Sequence, residues 1–241
     1  ARSDRLEVHN GNWSLTMAPD ESMKLVGSVR ADALFQLELT KAKEKVQFGD
    51  DGISRKGAAP TAASHYITFP RLNTRGTLQL RGDRFEVEGQ TWMDHEISSS
   101  QLDAHQEGWD WASIQLESGE EVMVYVMRQE DGSADPYSTL AWIDQSGQVT
   151  HVGPAEFQWT KEKFWVSPHS NAKYPIGSTL QFAHPVSKQS ITLKLIPLAS
   201  DQEIQGELGG IRYWEGACDV VDSNAKKVGN AYVELAGYDG K

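Results

Sequence analysis

Apolar and polar side chains alternate at every second position over long parts of this chain, and that pattern constrains the fold more than any other feature. The alternating stretches are 77–96, 120–129, 190–198 and 230–238. Successive side chains of a β-strand point to opposite faces, so each stretch predicts a strand with one buried and one solvated face. No long stretch has the 3.6-residue period of an amphipathic helix. The sequence therefore predicts an all-β fold.

Short turn sequences separate the predicted strands and narrow the fold class. They contain glycine and lie at 81–83, 118–120, 130–135 and 144–148. Many short strands joined by such turns are typical of a β-barrel or a β-sandwich. Residues 154–165 fit either one short helical turn or a strand. Residues 49–64 are small and polar, and they predict a loop that runs over the surface or covers an opening.

Composition excludes several functional classes. The 241 residues carry a net charge of −11 and a pI near 5.1, whereas binding to nucleic acid phosphates needs a basic face. No window contains the roughly 18 consecutive apolar residues that a membrane helix requires. Cys218 is the only cysteine, so it forms no disulfide within the chain, and we expect it to be a small buried apolar residue.

The densest cluster of charged residues stands beside the densest cluster of tryptophans, between Thr91 and Arg128. If residues 90–97 form a strand, Trp92, Asp94 and Glu96 lie on one face and Met93 and His95 lie on the other. Two carboxylates so close together repel each other, and a buried one can hold a proton and act as a general acid. The alternative is structural: such carboxylates accept hydrogen bonds from loops or pair with an arginine such as Arg71 or Arg128.

Further aromatic and acidic residues alternate in the same way. Trp109 and Trp111 share one strand face and Asp110 lies on the other. The second half of the chain repeats the pattern with Tyr213 and Glu215 against Trp214, and then with Tyr232, Glu234 and Tyr238. Tyr66 belongs to a similar run. These residues form either core or the lining of a cavity for one apolar ligand. The histidines have no close metal-ligand spacing, so neither a metal nor another cofactor is predicted.

Several runs of the sequence resemble the lipocalin-like family that includes AttH-type proteins and carotenoid 1,2-hydratases (hydroxyneurosporene synthases). They are GQTWMDHEISS, GWDWASIQLESGEEVMVYVMRQEDG, SPHSNAKYPIGSTL, LIPLASDQE and YWEGACDVVDSNAKKVGNAYVELAGY, and they stand in the family's order between about Trp13 and Tyr238. The Asp-His-Glu run is more similar to the AttH side of the family than to the carotenoid hydratases.

The resemblance implies two lipocalin-like antiparallel β-barrels, here 1–100 and 101–241, with a ligand cavity near Asp94. Family members usually begin with a segment carrying a Glu-Trp-Trp-like motif, which does not precede Trp13. The first barrel is therefore expected to be partial, and pairing of its exposed edges into a homodimer is expected. The resemblance also implies a bacterial protein, periplasmic or exported, with an ABC-transporter permease as its partner.

Three functions are compatible with these residues. The first is a carrier or accessory protein that binds a lipid or isoprenoid on its aromatic side chains. The second is a hydratase, in which Asp94 or Glu96 protonates a carbon–carbon double bond, His95 or the other carboxylate handles water, and indoles stabilise the cation. Those indoles are Trp92, Trp109 and Trp111. The third is a natural-product cyclase that folds a polyene and needs no acid.

Overall fold

The computed structural model describes residues 5–29, 32–100, 102–205 and 212–238, and every regular element in these ranges is a β-strand. The first sheet contains β1 (Glu7–Asn10), β2 (Trp13–Met17), β3 (Met23–Val29), β4 (Ala33–Lys41), β5 (Val46–Gln47), β6 (Ile53–Arg55), β7 (Ala63–Leu80) and β8 (Asp83–Ser98). The second contains β9 (Gln106–Leu116), β10 (Glu121–Gln129), β11 (Thr139–Ile143), β12 (Val149–Val152), β13 (Phe157–Val166), β14 (Lys173–Ala183), β15 (Ser190–Pro197), β16 (Glu203–Gln205), β17 (Arg212–Val221) and β18 (Lys227–Ala236). The predicted all-β fold is confirmed, as two curled antiparallel sheets.

The chain forms two compact units, and each is built from two separate stretches of sequence. Unit 1 comprises Ala1–Val46 and Thr68–His95, and unit 2 comprises Gln47–Ile67 and Glu96–Lys241. The long strands β7 and β8 contribute residues to both units. No helix in the described part of the chain is long and apolar enough to cross a membrane.

Unit 1 is an antiparallel meander in which β1, β2, β3, β4 and β7 pair in that order, and β8 pairs with β7. Its apolar residues lie on one face, as the alternation predicts. The buried centre of this face consists of Met23, Leu39, Phe69 and Leu72, and Met93 of β8 packs against it. Met93 therefore points to the core, and its neighbours Trp92 and Asp94 point away from it.

Unit 2 contains the ten-stranded sheet, whose order is β12-β11-β10-β9-β18-β17-β15-β14-β13, with β16 beside β17. We call the side of this sheet that carries Ile114, Trp214 and Val233 the inner face. Its side chains form one dense core, and the largest of them, Trp214, Tyr174 and Trp142, are 0 to 3% exposed. Protein interiors packed in this way leave few voids larger than a water molecule.

One ion pair shows how strongly the sheet of unit 2 curls. Lys161 lies on β13, which is an edge strand, and its Nζ atom is 2.8 Å from Asp110 Oδ2 on the central strand β9. In the sheet order, four strands separate these two. They meet over the inner face only because the sheet bends round on itself, so the unit is a half-barrel closed at this end by side chains.

The structure corrects two expectations and resolves one alternative. Within 154–165, the residues from Phe157 onward form a strand rather than a helical turn, because β13 pairs with β14. The stretch 120–129 is not half-buried: β10 is covered on both faces, with Val122 and Val124 on the inner face and Met123, Tyr125 and Met127 buried on the other. The loop predicted at 49–64 contains β6, which pairs with β7 and buries Ser54.

Candidate functional site

Alternate residues of β9, β10, β17 and β18 point away from the inner core, and we call this side of the sheet the outer face. Strand register places four of its residues in one line across the four strands, each directly opposite the next: Glu215, Glu234, Trp111 and Tyr125. Directly opposed residues of an antiparallel pair have Cβ atoms about 4.5–5.5 Å apart. A line of two acids and two aromatic rings therefore crosses the centre of unit 2.

The two glutamates of this line are surrounded by aromatic hydrogen-bond donors. The Tyr232 hydroxyl donates to Glu215 Oε2 at 3.0 Å, and the Trp109 indole N–H donates to Glu234 Oε1. Like charges placed directly opposite each other in a sheet are destabilising. The donors offset part of this repulsion, and both carboxylates remain only half-buried.

The phenols beside the glutamates keep their protons. Burial, followed by the charges of Glu215 and Glu234, raises the pKa of Tyr213 and of Tyr232 above the ordinary value. A neutral phenol donates a hydrogen bond, whereas a phenolate can only accept one. Tyr232 is therefore a permanent donor to Glu215 at any physiological pH.

The β9–β10 end of the outer face is covered by residues of Gln47–Ile67. The Trp111 indole N–H donates to the Tyr66 hydroxyl at 2.9 Å, and the Tyr66 ring packs edge-on against Phe48 at 5.0 Å. Lys56 Nζ lies 3.8 Å from the centre of the Tyr125 ring and 4.6 Å from that of Tyr66. Trp111 and Trp109 themselves stay half-buried.

Glu96 belongs to this covered end. Its Oε1 atom is 3.2 Å from Lys56 Nζ and accepts a hydrogen bond from the Ser64 hydroxyl. The pKa of the nearby Tyr125 is raised to about 12, mainly by burial and in part by the charge of Glu96, while the hydrogen bond with Ser54 lowers it. Glu96 therefore fits the structural alternative, in which a carboxylate accepts a hydrogen bond or forms an ion pair, but its cationic partner is Lys56 rather than an arginine.

Asp110 points to the inner face, as alternation against Trp109 and Trp111 predicts. Its side chain is 3% exposed and lies 3.2 Å from Arg128 Nε and 2.8 Å from Lys161 Nζ. The Tyr238 hydroxyl donates to Asp110 Oδ1 at 2.8 Å, and its ring lies under the Arg128 guanidinium at 3.9 Å. Asp110 therefore lies on the inner face with two cations and a phenol as its partners, and the structure does not bring it together with the outer-face residues.

Trp214 also lies on the inner face, opposite in direction to Tyr213 and Glu215, which agrees with the sequence prediction. It is fully buried, and its indole N–H donates to the Ser200 carbonyl at 2.8 Å. Gly216 leaves the space for this ring, because a Cβ there would lie 1.9 Å from the indole. Cys218 is 1% exposed, and burial raises the pKa of its thiol to about 12. Both residues are core rather than cavity lining.

The Asp94 group lies in unit 1. The Trp92 indole N–H donates to Asp94 Oδ1 at 2.8 Å, and the Thr68 hydroxyl donates to the same oxygen at 2.5 Å. Trp92 and Asp94 therefore share a face, as predicted. Asp94 is exposed and His95 is half-buried, and their catalytic roles stay predictions.

Sequence reasoning found most of the outer-face residues but missed how they assemble. The sequence predicts site roles for Trp109, Trp111, Tyr213 and Glu215, which lie on this face, and for Tyr66 and Glu96, which belong to its covered β9–β10 end. Tyr232 and Glu234 were noticed only as a repeated pattern, because their importance depends on the pairing of β17 with β18. No pattern in the sequence predicts that Lys56 belongs to this site. Among the described residues, no three His, Cys, Asp or Glu side chains gather as metal ligands would.

The chain resembles known proteins in sequence pattern and in fold. An AttH protein from Nitrosomonas europaea has a TM-score of 0.87 and 28% identity, over 96% of this chain and 69% of that one. Kievitone hydratase from Nectria haematococca has a TM-score of 0.75 and 15% identity, over 97% and 71%; at that identity the likeness concerns the fold alone. No functionally curated protein matches in sequence. The model of the AttH-like family matches residues 1–238, and the chain belongs to that family.

Proposed function

We propose that this chain is a lipocalin-like binding protein for a hydrophobic small molecule, and that the ligand lies on the outer face of unit 2. The observation that carries the proposal is the half-buried pair of indoles, Trp109 and Trp111, beside Glu215 and Glu234. Ligand sites are lined mainly by apolar and aromatic side chains with a few polar groups that fix orientation. The outer face has this composition.

The dense packing of the inner face also supports a ligand site on the outer face. A lipocalin-like barrel that holds a ligand inside needs an interior with room for it. In unit 2 this interior is occupied by fully buried side chains, Trp214 and Tyr174 among them. The aromatic surface left for a ligand is therefore on the outside of the sheet.

The test is a titration with farnesol, a neutral isoprenoid alcohol, followed by tryptophan fluorescence. We expect a saturable change that is lost in the double variant Trp109→Phe/Trp111→Phe. Trp165→Phe is the matched control, because Trp165 packs beside Tyr174 on the inner side and stacks on it at 6.4 Å. If the double variant responds as the wild type does, the ligand is not on the outer face.

Acid-catalysed hydration is a second candidate, and the direct opposition of Glu215 and Glu234 favours it. One glutamate would transfer its proton to an alkene carbon, forming a C–H bond and a tertiary cation. Water would then form the C–O bond and release its extra proton to the other glutamate. Indole faces stabilise such cations by about 1–2 kcal/mol each when desolvated. The fold is also that of a hydratase, kievitone hydratase.

An isotope experiment separates the two candidates. A carrier returns farnesol unchanged, whereas a hydratase converts it to a diol that carries heavy oxygen from labelled water, detected by mass spectrometry. If hydration occurs, we expect Glu234→Gln to abolish it and Asp219→Asn, on the same face, to leave it intact. Asp94 and His95 stay predictions for this chemistry, as do a permease partner, an exported location and a homodimer, which rest on the family resemblance and on the expected strand edges.

A further inference from the structure

We propose that the outer-face ligand is a single-chain amphiphile with a cationic ammonium head, which binds at Glu215, and an apolar tail, which lies across β17 onto β15. This inference rests on the proposed function and adds the charge and shape of the ligand. It depends on exposed apolar residues of unit 2 that lie beside the line of Glu215, Glu234, Trp111 and Tyr125 but are not part of it.

An exposed apolar strip continues the outer face beyond the glutamates. Its members are Leu198, which is 65% exposed, Ile196 at 48%, Tyr232 at 42% and Ile204 at 41%. Strand register makes these residues neighbours. Ile196 is opposite Asp219, and Ile204 is opposite Tyr213. Ala217 is opposite Tyr232, and its carbonyl accepts a hydrogen bond from the Leu198 N–H. Contiguous apolar surface on a water-facing sheet marks a binding surface more often than isolated exposed residues do.

The strip and the glutamates are close enough for one molecule. Neighbouring strands lie about 4.8 Å apart and alternate residues of a strand about 7 Å apart. Glu215 is two residues from Ala217 on β17, and Leu198, which directly follows β15, donates its backbone N–H to the Ala217 carbonyl. A head group at Glu215 therefore places the first several methylenes of a tail over Ala217 and Leu198.

The charge of the head follows from the groups that surround it. Among the described residues, no lysine or arginine forms an ion pair with Glu215, whereas Asp219 on the same strand pairs with Lys227 and Asp110 pairs with Lys161. Tyr213, Tyr232 and Trp109 supply ring faces beside the carboxylates. Aromatic rings with a carboxylate are the surroundings that ammonium groups prefer. The net charge of −11 repels an anionic amphiphile from the same place.

The test compares decylamine, decanol and decanoate, which share one tail and differ in head charge, each at concentrations below micelle formation. Binding is followed by tryptophan fluorescence. We expect the amine to bind on the order of tenfold more tightly than the alcohol, because hydrogen bonds to charged groups are stronger than neutral ones. Decanoate should bind most weakly, and added salt should reduce the preference for the amine.

Two pairs of variants locate the head and the tail. Glu215→Gln should bring the amine down to the affinity of the alcohol, while Asp219→Asn, whose carboxylate has its own lysine, should keep the preference. Leu198→Ser should weaken all three ligands, while Val186→Ser, 82% exposed elsewhere in unit 2, should weaken none.

The outcomes separate this inference from the proposed function. If amine and alcohol bind the wild type equally, the cationic head is wrong and hydrophobic binding stands. If the amine is preferred but Glu215→Gln keeps that preference, the head binds elsewhere and the inference is overturned. If none of the three amphiphiles nor farnesol changes the fluorescence, the proposed function itself fails, and this inference with it.

Discussion

The inner and outer faces of β9, β17 and β18 are made from the same strands, yet Asp110 on the inner face and Glu215 on the outer face have very different surroundings. On the inner face Asp110 has two cations and a phenol as partners and is almost fully buried. On the outer face Glu215 and Glu234 stand directly opposite each other and accept hydrogen bonds from the Tyr232 hydroxyl and the Trp109 indole N–H. Alternate positions of the same strands can therefore give acidic side chains very different surroundings.

The two faces also differ in whether the contacts of these side chains are favourable. An inner residue such as Trp214 is surrounded by packed atoms and hydrogen-bonded, so nearly any change at its position removes favourable contacts. The outer glutamates repel each other, and natural proteins retain such unfavourable pairs mainly where they serve binding or catalysis. Substitutions of Trp214 and of Glu215 should therefore change stability in opposite directions.

The largest effect is expected on the inner face, from Trp214→Ala. Removing this buried indole leaves a cavity in the core, and such substitutions cost about 3–5 kcal/mol. The measurement is hydrogen exchange of the buried amides of β9 and β18, which should exchange much faster. Trp214→Phe, which keeps most of the volume, should lose less. Equal exchange in the alanine variant and the wild type would mean that the inner face is not the stabilising one.

The second-largest effect is expected from Asp110→Asn. It should lower the free energy of unfolding by about 3 kcal/mol, because breaking a buried ion pair leaves an uncompensated charge. Arg128 and Lys161 would then face each other without their shared carboxylate. Urea unfolding of unit 2 measures the loss. Adding Lys161→Met should restore part of it, since one of the two stranded charges is removed. No recovery in the double variant would argue against the ion pair as the cause.

A smaller, pH-dependent effect is expected from Glu203 of β16. Burial raises the pKa of this carboxyl, but hydrogen bonds from the hydroxyls of Ser167, Ser170 and Tyr174 outweigh it, and the net pKa lies below the usual 4.5. The resulting stabilisation is complete above pH 4.5 and is lost as the pH falls through the lowered pKa.

Glu203→Gln tests this difference. At neutral pH it should destabilise unit 2 by about 1 kcal/mol, the usual worth of such hydrogen bonds. The gap between variant and wild type in urea unfolding should close as the pH falls below 4.5. A gap that stays constant with pH would mean that ionisation of Glu203 plays no part.

The smallest effect, and the only one of opposite sign, is expected on the outer face. Glu215→Gln removes one of two opposed charges and should stabilise unit 2 by about 0.5 kcal/mol. The measurement is the urea midpoint at low salt, with Asp219→Asn as a control that should lose a little stability, because it breaks the pair with Lys227. A destabilised Glu215→Gln variant would remove the contrast between the faces.

Much of this arrangement was predictable from the sequence, because alternation is a local property. It correctly separated Trp109 and Trp111 from Asp110, and Tyr213 and Glu215 from Trp214. It could not show which strands are neighbours, so the opposition of Glu215 to Glu234 was not foreseen. Nor does any local pattern predict that Gln47–Ile67 joins unit 2 and brings Lys56 to Glu96, since pairing between distant segments depends on tertiary packing.

The Asp110 cluster has a consequence for how the protein is made. Its members are far apart in sequence: Asp110 and Tyr238 are separated by 128 positions, and Lys161 lies between them. During synthesis the carboxylate of β9 emerges long before the phenol that caps it, and contacts of such large separation form late. The ion pairs of Asp110 with Arg128 and Lys161 therefore gain their phenol cap only after Tyr238 has been translated.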